Sequence, residues 1–214
     1  MIALSPRVPL PVAWQVTPNT RDRRHQAGNL QICNNGLKRF NKILETADPL
    51  QRQLTADQIA TTAREVCDET YGLPVPVGVY QRLRCIAAVS TMFKDMDWEI
   101  EEAAAWRSAT LLEYFSAREV LFPNNAPMVG YLDDAILVEA AWPELRAEVS
   151  SFYDYRRLRR IVVEGRSKGA TRFRFTRADW LDSREIEHRL QAQVRRTGLG
   201  SFVENSVVPM FRVH

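Results

Sequence analysis

The chain has little of what covalent or metal chemistry requires. Three cysteines and three histidines stand among 214 residues. Cys33, Cys67 and Cys85 are an odd set without a C-x-x-C pair, which excludes a disulfide framework and the usual zinc spacings. Each lies in an apolar helical setting and is read as a small buried hydrophobe. His25, His188 and His214 suggest no triad and are read as surface residues. There is no G-x-x-x-x-G-K and no G-x-G-x-x-G, so phosphate-cradling loops are absent as motifs. No run approaches the roughly 18 apolar residues of a membrane span. The densest, Cys85–Val89 and Ala135–Val138, are short and flanked by charge. Prolines interrupt the opening MIALSPRVPLPVAW where a signal peptide needs an unbroken apolar segment, so the expectation is a cytoplasmic protein.

What is present is ordinary globular material, 45% apolar and 26% charged, enough for one good core and a small appendage. The net charge of +3 hides a division. Residues 31–150 carry 11 Lys/Arg against 18 Asp/Glu, whereas residues 151–198 carry 13 against 6. A basic tail of this kind either meets a polyanion or docks on the acidic middle of its own chain.

Residues 1–28 hold four prolines and a basic cluster without lasting periodicity, and read as an extended or partly disordered arm. Helical periods fill residues 29–165. Leu37, Phe40 and Leu44 mark a first helix near 35–46. Thr55 and Gln58 form a capping-box spacing that opens a second, with Ile59, Ala63, Val66 and Thr70 inward and Gly72 and Pro74 closing it. A third is expected at 78–94, with Tyr80, Leu83, Ala87 and Val89 inward. A fourth is expected at 97–116, with Asp97 as N-cap and Trp106, Ala109, Leu112 and Phe115 as its buried edge. A fifth begins near Tyr131 or Leu132. Pro143 either ends it or sits in the first turn of a sixth. That sixth helix carries the stripe Leu145, Val149, Phe152, Tyr155, Leu158 and Val162 up to Gly165.

Residues 166–214 change character. Thr171–Phe175 alternates as a strand would, Asp182 with Glu185 marks a helix start, and Ile186, Leu190 and Val194 form an apolar line ending near Gly198. Ser206–Val213 reads as an edge strand. The fold class expected is mainly α: a helical bundle-like core with a rigid Pro/Gly turn between two core helices, plus a small C-terminal α/β appendage.

The turn is residues 120–134, VLFPNNAPMVGYLDD. Pro123 and Pro127 fix their own φ and push the preceding residues away from helix, and Gly130 permits a close approach. Asp133 and Asp134 then fall in the first turn of a helix, where carboxylates meet free amides and a favourable dipole. As a metal or acid–base pair they are poorly aimed, because adjacent helical residues diverge by about 100°. A metal would need ligands from other helices.

The same residues resemble the signature of the bacterial YkvA-type domain, a family of unknown function. Its pattern runs close to D-L-I-P-D-x-I-P-x-x-G-Y-L-D-D between two apolar helices. Leu121, Phe122, Pro123, Pro127, Gly130, Tyr131, Leu132, Asp133 and Asp134 match it without a gap, over about residues 105–142. Val120 and Asn124 stand where the pattern has acids, so no role built on all four acids carries over. The resemblance implies a helix–rigid turn–helix unit, with no established chemistry, cofactor or metal.

The tail offers a second candidate surface. Arg157 and Arg160 face away from the apolar stripe of their helix, and Arg172 and Arg174 alternate with Phe173 and Phe175. Three functions follow. The first is a non-enzymatic cytoplasmic regulatory or adaptor protein whose helical core meets a protein partner, without cofactor. The second is nucleic-acid binding through Arg157, Arg160, Arg172 and Arg174. The third is a metal-dependent hydrolase built on Asp133 and Asp134.

Overall fold

The computed structural model of the chain describes residues 26–27, 30–48, 50, 53–69, 76–117, 121–122, 126, 129–165 and 174–200. Among these the protein is mainly α-helical. A two-residue antiparallel pair, β1 (Gln26–Ala27) and β2 (Leu30–Gln31), precedes α1 (Asn34–Ala47), α2 (Ala56–Glu69), α3 (Val77–Phe93), α4 (Glu102–Ser116), α5 (Leu132–Glu164) and α6 (Arg177–Gly200). Two compact units, Met1–Arg156 and Arg157–His214, divide within α5. Among the described residues no helix is long and apolar enough to cross a membrane. Most of the Pro/Gly turn, including Pro123 and Pro127, lies outside the described residues. So do Thr171–Phe173 and the expected strand at 206–213, while Arg174 and Phe175 are neither helix nor strand.

In the first unit, α1 buries Phe40 and Leu44 as its spacing requires. Its N-cap is Cys33, whose Sγ accepts from the Gly36 amide at 3.2 Å, so this cysteine is an exposed cap and not a buried hydrophobe. A Cβ on Gly36 would stand 3.2 Å from that sulfur and 3.7 Å from Leu121 Cδ1, which explains the glycine. Buried Asn41 holds the incoming loop by taking the Leu54 amide and giving to the Leu54 carbonyl, both at 2.8 Å. The capping box of α2 is formed in both directions: Gln58 N donates to Thr55 Oγ1 at 3.3 Å, and Thr55 N to Gln58 Oε1 at 2.9 Å. Ile59, Ala63 and Val66 are buried beneath it, while Thr70 lies outside the described residues.

Two helices turn a largely different face inward from the one expected, although Val89 of α3 is buried as its spacing predicts. In α3 the buried residues are Val79, Arg82, Cys85, Ala88, Val89 and Met92, and Tyr80 is exposed. Arg82 can lie in that register because a carboxylate meets it across the core. The α4 helix begins at Glu102 and not at Asp97. Trp98 pins the preceding segment: its ring packs on Phe152 and Tyr155 at centroid distances of 5.8 and 5.0 Å, and Nε1 donates to Glu148 at 3.1 Å. The later start leaves Ala104, Ser108, Leu111 and Tyr114 inward, and Trp106 is 65% exposed.

The expected break at Pro143 is absent. The α5 helix runs through the proline without interruption. A proline inside a helix removes one hydrogen bond, here to the Glu139 carbonyl, and crowds the preceding turn. Buried Ile136, Leu137, Ala140 and Ala141 on one side, and Leu145, Val149 and Phe152 on the other, hold the helix across that defect.

In the second unit α6 starts earlier than the expected Asp182. Thr176 and Asp179 make the box: Thr176 N donates to Asp179 Oδ2 at 2.7 Å, and Asp179 N to Thr176 Oγ1 at 3.5 Å. Those contacts hold the Asp179 carboxyl below its ordinary pKa.

Because Pro143 is exposed, its replacement disturbs little packing. Pro143→Ala is therefore expected to stabilise the protein by on the order of 1–3 kcal/mol. Urea denaturation measures this, and a loss of stability would contradict the account of α5.

Candidate functional site

The two adjacent aspartates are enclosed. Asp133 is fully buried and Asp134 is 3% exposed, both in the first turn of α5. Asp133 accepts from its own amide in that turn, and its other contacts reach back to earlier residues. Asp133 Oδ2 accepts from the Tyr114 hydroxyl at 2.7 Å, the Leu121 amide at 2.9 Å and the Phe122 amide at 3.4 Å. Tyr114 Oη also accepts from Leu121 N at 3.2 Å. One carboxylate thus joins the last turn of α4, the start of the Pro-rich link and the first turn of α5.

The entry to α5 is strained at Tyr131, whose φ is 70°. Gly130 is buried and Tyr131 half-buried. Gly130 N donates to Ala126 O at 2.9 Å, and Ala135 N to Tyr131 O at 2.9 Å, so the chain enters helix directly after the left-handed residue.

Burial dominates the electrostatics of the pair. It pushes Asp133 above the carboxylate range, against the opposing pull of Tyr114, of the Leu121 and Phe122 amides and of its own amide. Burial, and then the charge of Asp133, raises Asp134 from 3.8 to about 7. Asp134 Oδ1 is buried with no hydrogen-bond partner among the described residues. Burial, followed by the adjacent Asp133 charge, drives Tyr114 far above its ordinary value and keeps its hydroxyl a donor. Burial pushes the Cys85 thiol up to about 11, which leaves it inert as a nucleophile at neutral pH.

Two further polar links cross the core, and periodicity alone gave no warning of them. Arg82, 1% exposed, donates from Nε to Glu139 Oε2 at 2.8 Å and reaches the same oxygen from Nη2 at 2.6 Å. Its Nη1 donates to Gly78 O at 2.9 Å. Glu148 Oε1 accepts from Trp98 Nε1 at 3.1 Å and from Glu101 N at 3.3 Å. The signal for the first was an arginine spaced three residues from both Val79 and Cys85.

Among the described residues no group of three or more His, Cys, Asp or Glu is placed to hold an ion. The single Glu-x-x-His spacing, Glu185 with His188, is exposed on α6, and Glu185 there pairs with Arg189. Arg157, Arg160 and Arg174 are exposed, Arg157 and Arg174 already engaged within the chain, and Arg172 lies outside the described residues.

An open surface does exist in the first unit. A groove of about 690 Å³ is lined by Thr46 of α1 and by Glu101, Glu102, Ala103, Trp106 and Arg107 at the start of α4. Trp106 offers a largely exposed ring beside two exposed carboxylates. An indole face with nearby carboxylates suits a lysine or arginine side chain. No protein family, curated protein or solved structure matches this chain.

Asp134 generates a pH dependence with a definite sign. The folded chain keeps this proton to about pH 7, the unfolded chain only to its ordinary 3.8. Between these values folding takes up a proton, so the associated stability is full at the acid end and is lost as pH rises toward 7. Asp134→Asn is expected to remove that fall, raising Tm at pH 8 while changing it little at pH 4. Thermal unfolding across this range measures it. An unchanged pH profile would show that Asp134 is ionised without cost.

Proposed function

We propose that the protein is a non-enzymatic, cytoplasmic regulatory or adaptor protein of bacterial type, whose helical core binds a basic segment of a protein partner. In this reading the YkvA-like segment is a structural joint: Pro123 to Gly130 forms a rigid turn between two core helices, and residues 166–214 form a small α/β appendage. The observation that carries the reading is the groove at the start of α4, where exposed Trp106 lies beside Glu101 and Glu102. Support also comes from the acidic balance of residues 31–150, which favours a cationic partner. A hydrolase built on Asp133 and Asp134 draws no support, because both carboxylates are enclosed and Asp133 serves three donors.

Calorimetric titration with lysine- and arginine-rich peptides tests the groove. Trp106→Ala, and separately Glu101→Gln with Glu102→Gln, are expected to weaken binding roughly tenfold each without lowering Tm. Equal binding by wild type and variants would remove the groove from the reading.

Nucleic-acid binding keeps one favourable observation, the exposure of Arg157, Arg160 and Arg174. Its test is the salt dependence of binding to labelled DNA and RNA. Phosphate contacts give a slope of roughly −0.9 each on a duplex. Replacing Arg157, Arg160, Arg172 and Arg174 by alanine flattens that slope if the tail is the binding face. Submicromolar wild-type affinity at physiological salt, lost in the variant, would put this reading first.

A further inference from the structure

The apolar line expected on the C-terminal helix is present, but it is not buried. Ile186, Leu190 and Val194 recur every four residues along one face of α6, and they are 57%, 57% and 68% exposed. Branched aliphatic side chains aligned in this way normally face a core or another helix. The charges of the same helix are separated along its length. Residues 177–188 carry Asp179, Asp182, Glu185 and Glu187 against Arg177 and Arg184. Residues 189–200 carry Arg189, Arg195 and Arg196 and no acid. Acids toward the N-terminus and bases toward the C-terminus suit the dipole of a single helix. That explanation accounts for the charges and leaves the apolar line without a purpose.

We infer that α6 pairs with the α6 of a second copy of this chain, antiparallel, with the twofold axis near Leu190. In that arrangement Leu190 meets its own counterpart, and Ile186 meets Val194 of the second copy on either side. A twofold contact requires a surface complementary to itself, and this helix face is so in both shape and charge. The acidic half of each helix lies along the basic half of the other. Arg196 of one copy stands at the level between Asp182 and Glu185 of the other, on the same flank of the seam. Arg195 lies on the opposite flank beside Arg184 and Glu187, which already pair with each other. Near the axis the two Arg189 side chains approach, and each is already paired with Glu185 of its own helix. A parallel pair would instead set acids beside acids and bases beside bases, and is disfavoured.

The inference uses only the second unit and does not rest on the partner proposed for the Trp106 groove. Sedimentation equilibrium on the full chain over a wide concentration range tests it. Wild type is expected to show a reversible monomer–dimer equilibrium. Leu190→Glu, at an exposed position, is expected to raise the dimer dissociation constant at least tenfold while far-ultraviolet circular dichroism and Tm stay unchanged. Val194→Glu supplies the same measurement should Leu190→Glu fail to fold. Salt decides orientation, because screening weakens attraction and relieves repulsion. The wild-type dimer is expected to dissociate more readily as salt rises, and Arg195→Glu with Arg196→Glu is expected to lower affinity at low salt. A chain that is monomeric throughout, a dimer indifferent to Leu190→Glu and Val194→Glu, or a dimer strengthened by salt would each overturn the inference. Trp106→Ala leaves the dimer intact, so failure of one proposal is distinguishable from failure of the other.

Discussion

A single carboxylate oxygen sits where three parts of the core converge. Asp133 Oδ2 gathers the hydroxyl of Tyr114 and the amides of Leu121 and Phe122. Leu121 and Phe122 lie outside the helices, and their buried amides need acceptors from elsewhere in the fold. The acid therefore does for the link what a neighbouring strand does in a sheet. It also fixes how α4 meets α5, because the tyrosine on one helix and the aspartate on the other share the same site.

The same logic is repeated along α5. Asp133, Glu139 and Glu148 project from this one helix, and each receives donors from a different element. Asp133 serves the end of α4 and the link, Glu139 serves Arg82 of α3, and Glu148 serves Trp98 and Glu101 ahead of α4. Apolar packing supplies most of the driving force for such a core, but it is tolerant of small slides and rotations. Buried hydrogen bonds to charged groups are not, since a misplaced partner leaves a desolvated charge. The acids of α5 thereby set the register of the helices around it.

These contacts also explain what was legible in the sequence. Periodicity placed α1, α2 and the stripe from Leu145 to Tyr155 correctly, because the buried faces there are made of plainly apolar residues and the Thr55–Gln58 box marks its own helix start. In α3 the phase was misread, since Arg82 counts as an outward residue until its partner Glu139 is known. In α4 it slipped because Trp98, and not Trp106, is the buried indole. Asp133 and Asp134 were placed correctly at the start of a helix. Their enclosure was not legible, as the partner Tyr114 lies nineteen residues back on another helix. Pro143 shows the converse case, a strong local signal overruled by packing on both sides of it.

The left-handed backbone at Tyr131 has a consequence for sequence drift. At most positions in a helical protein glycine is among the worst replacements and β-branched residues are tolerable. At residue 131 that ranking is inverted. A φ of 70° admits glycine freely and asparagine or aspartate cheaply, while valine, isoleucine and threonine meet the severest steric penalty. The tyrosine present is itself a costly occupant of that backbone. The surrounding structure therefore holds this backbone against the preference of its own residue, and replacement by glycine there would remove a cost and not add one.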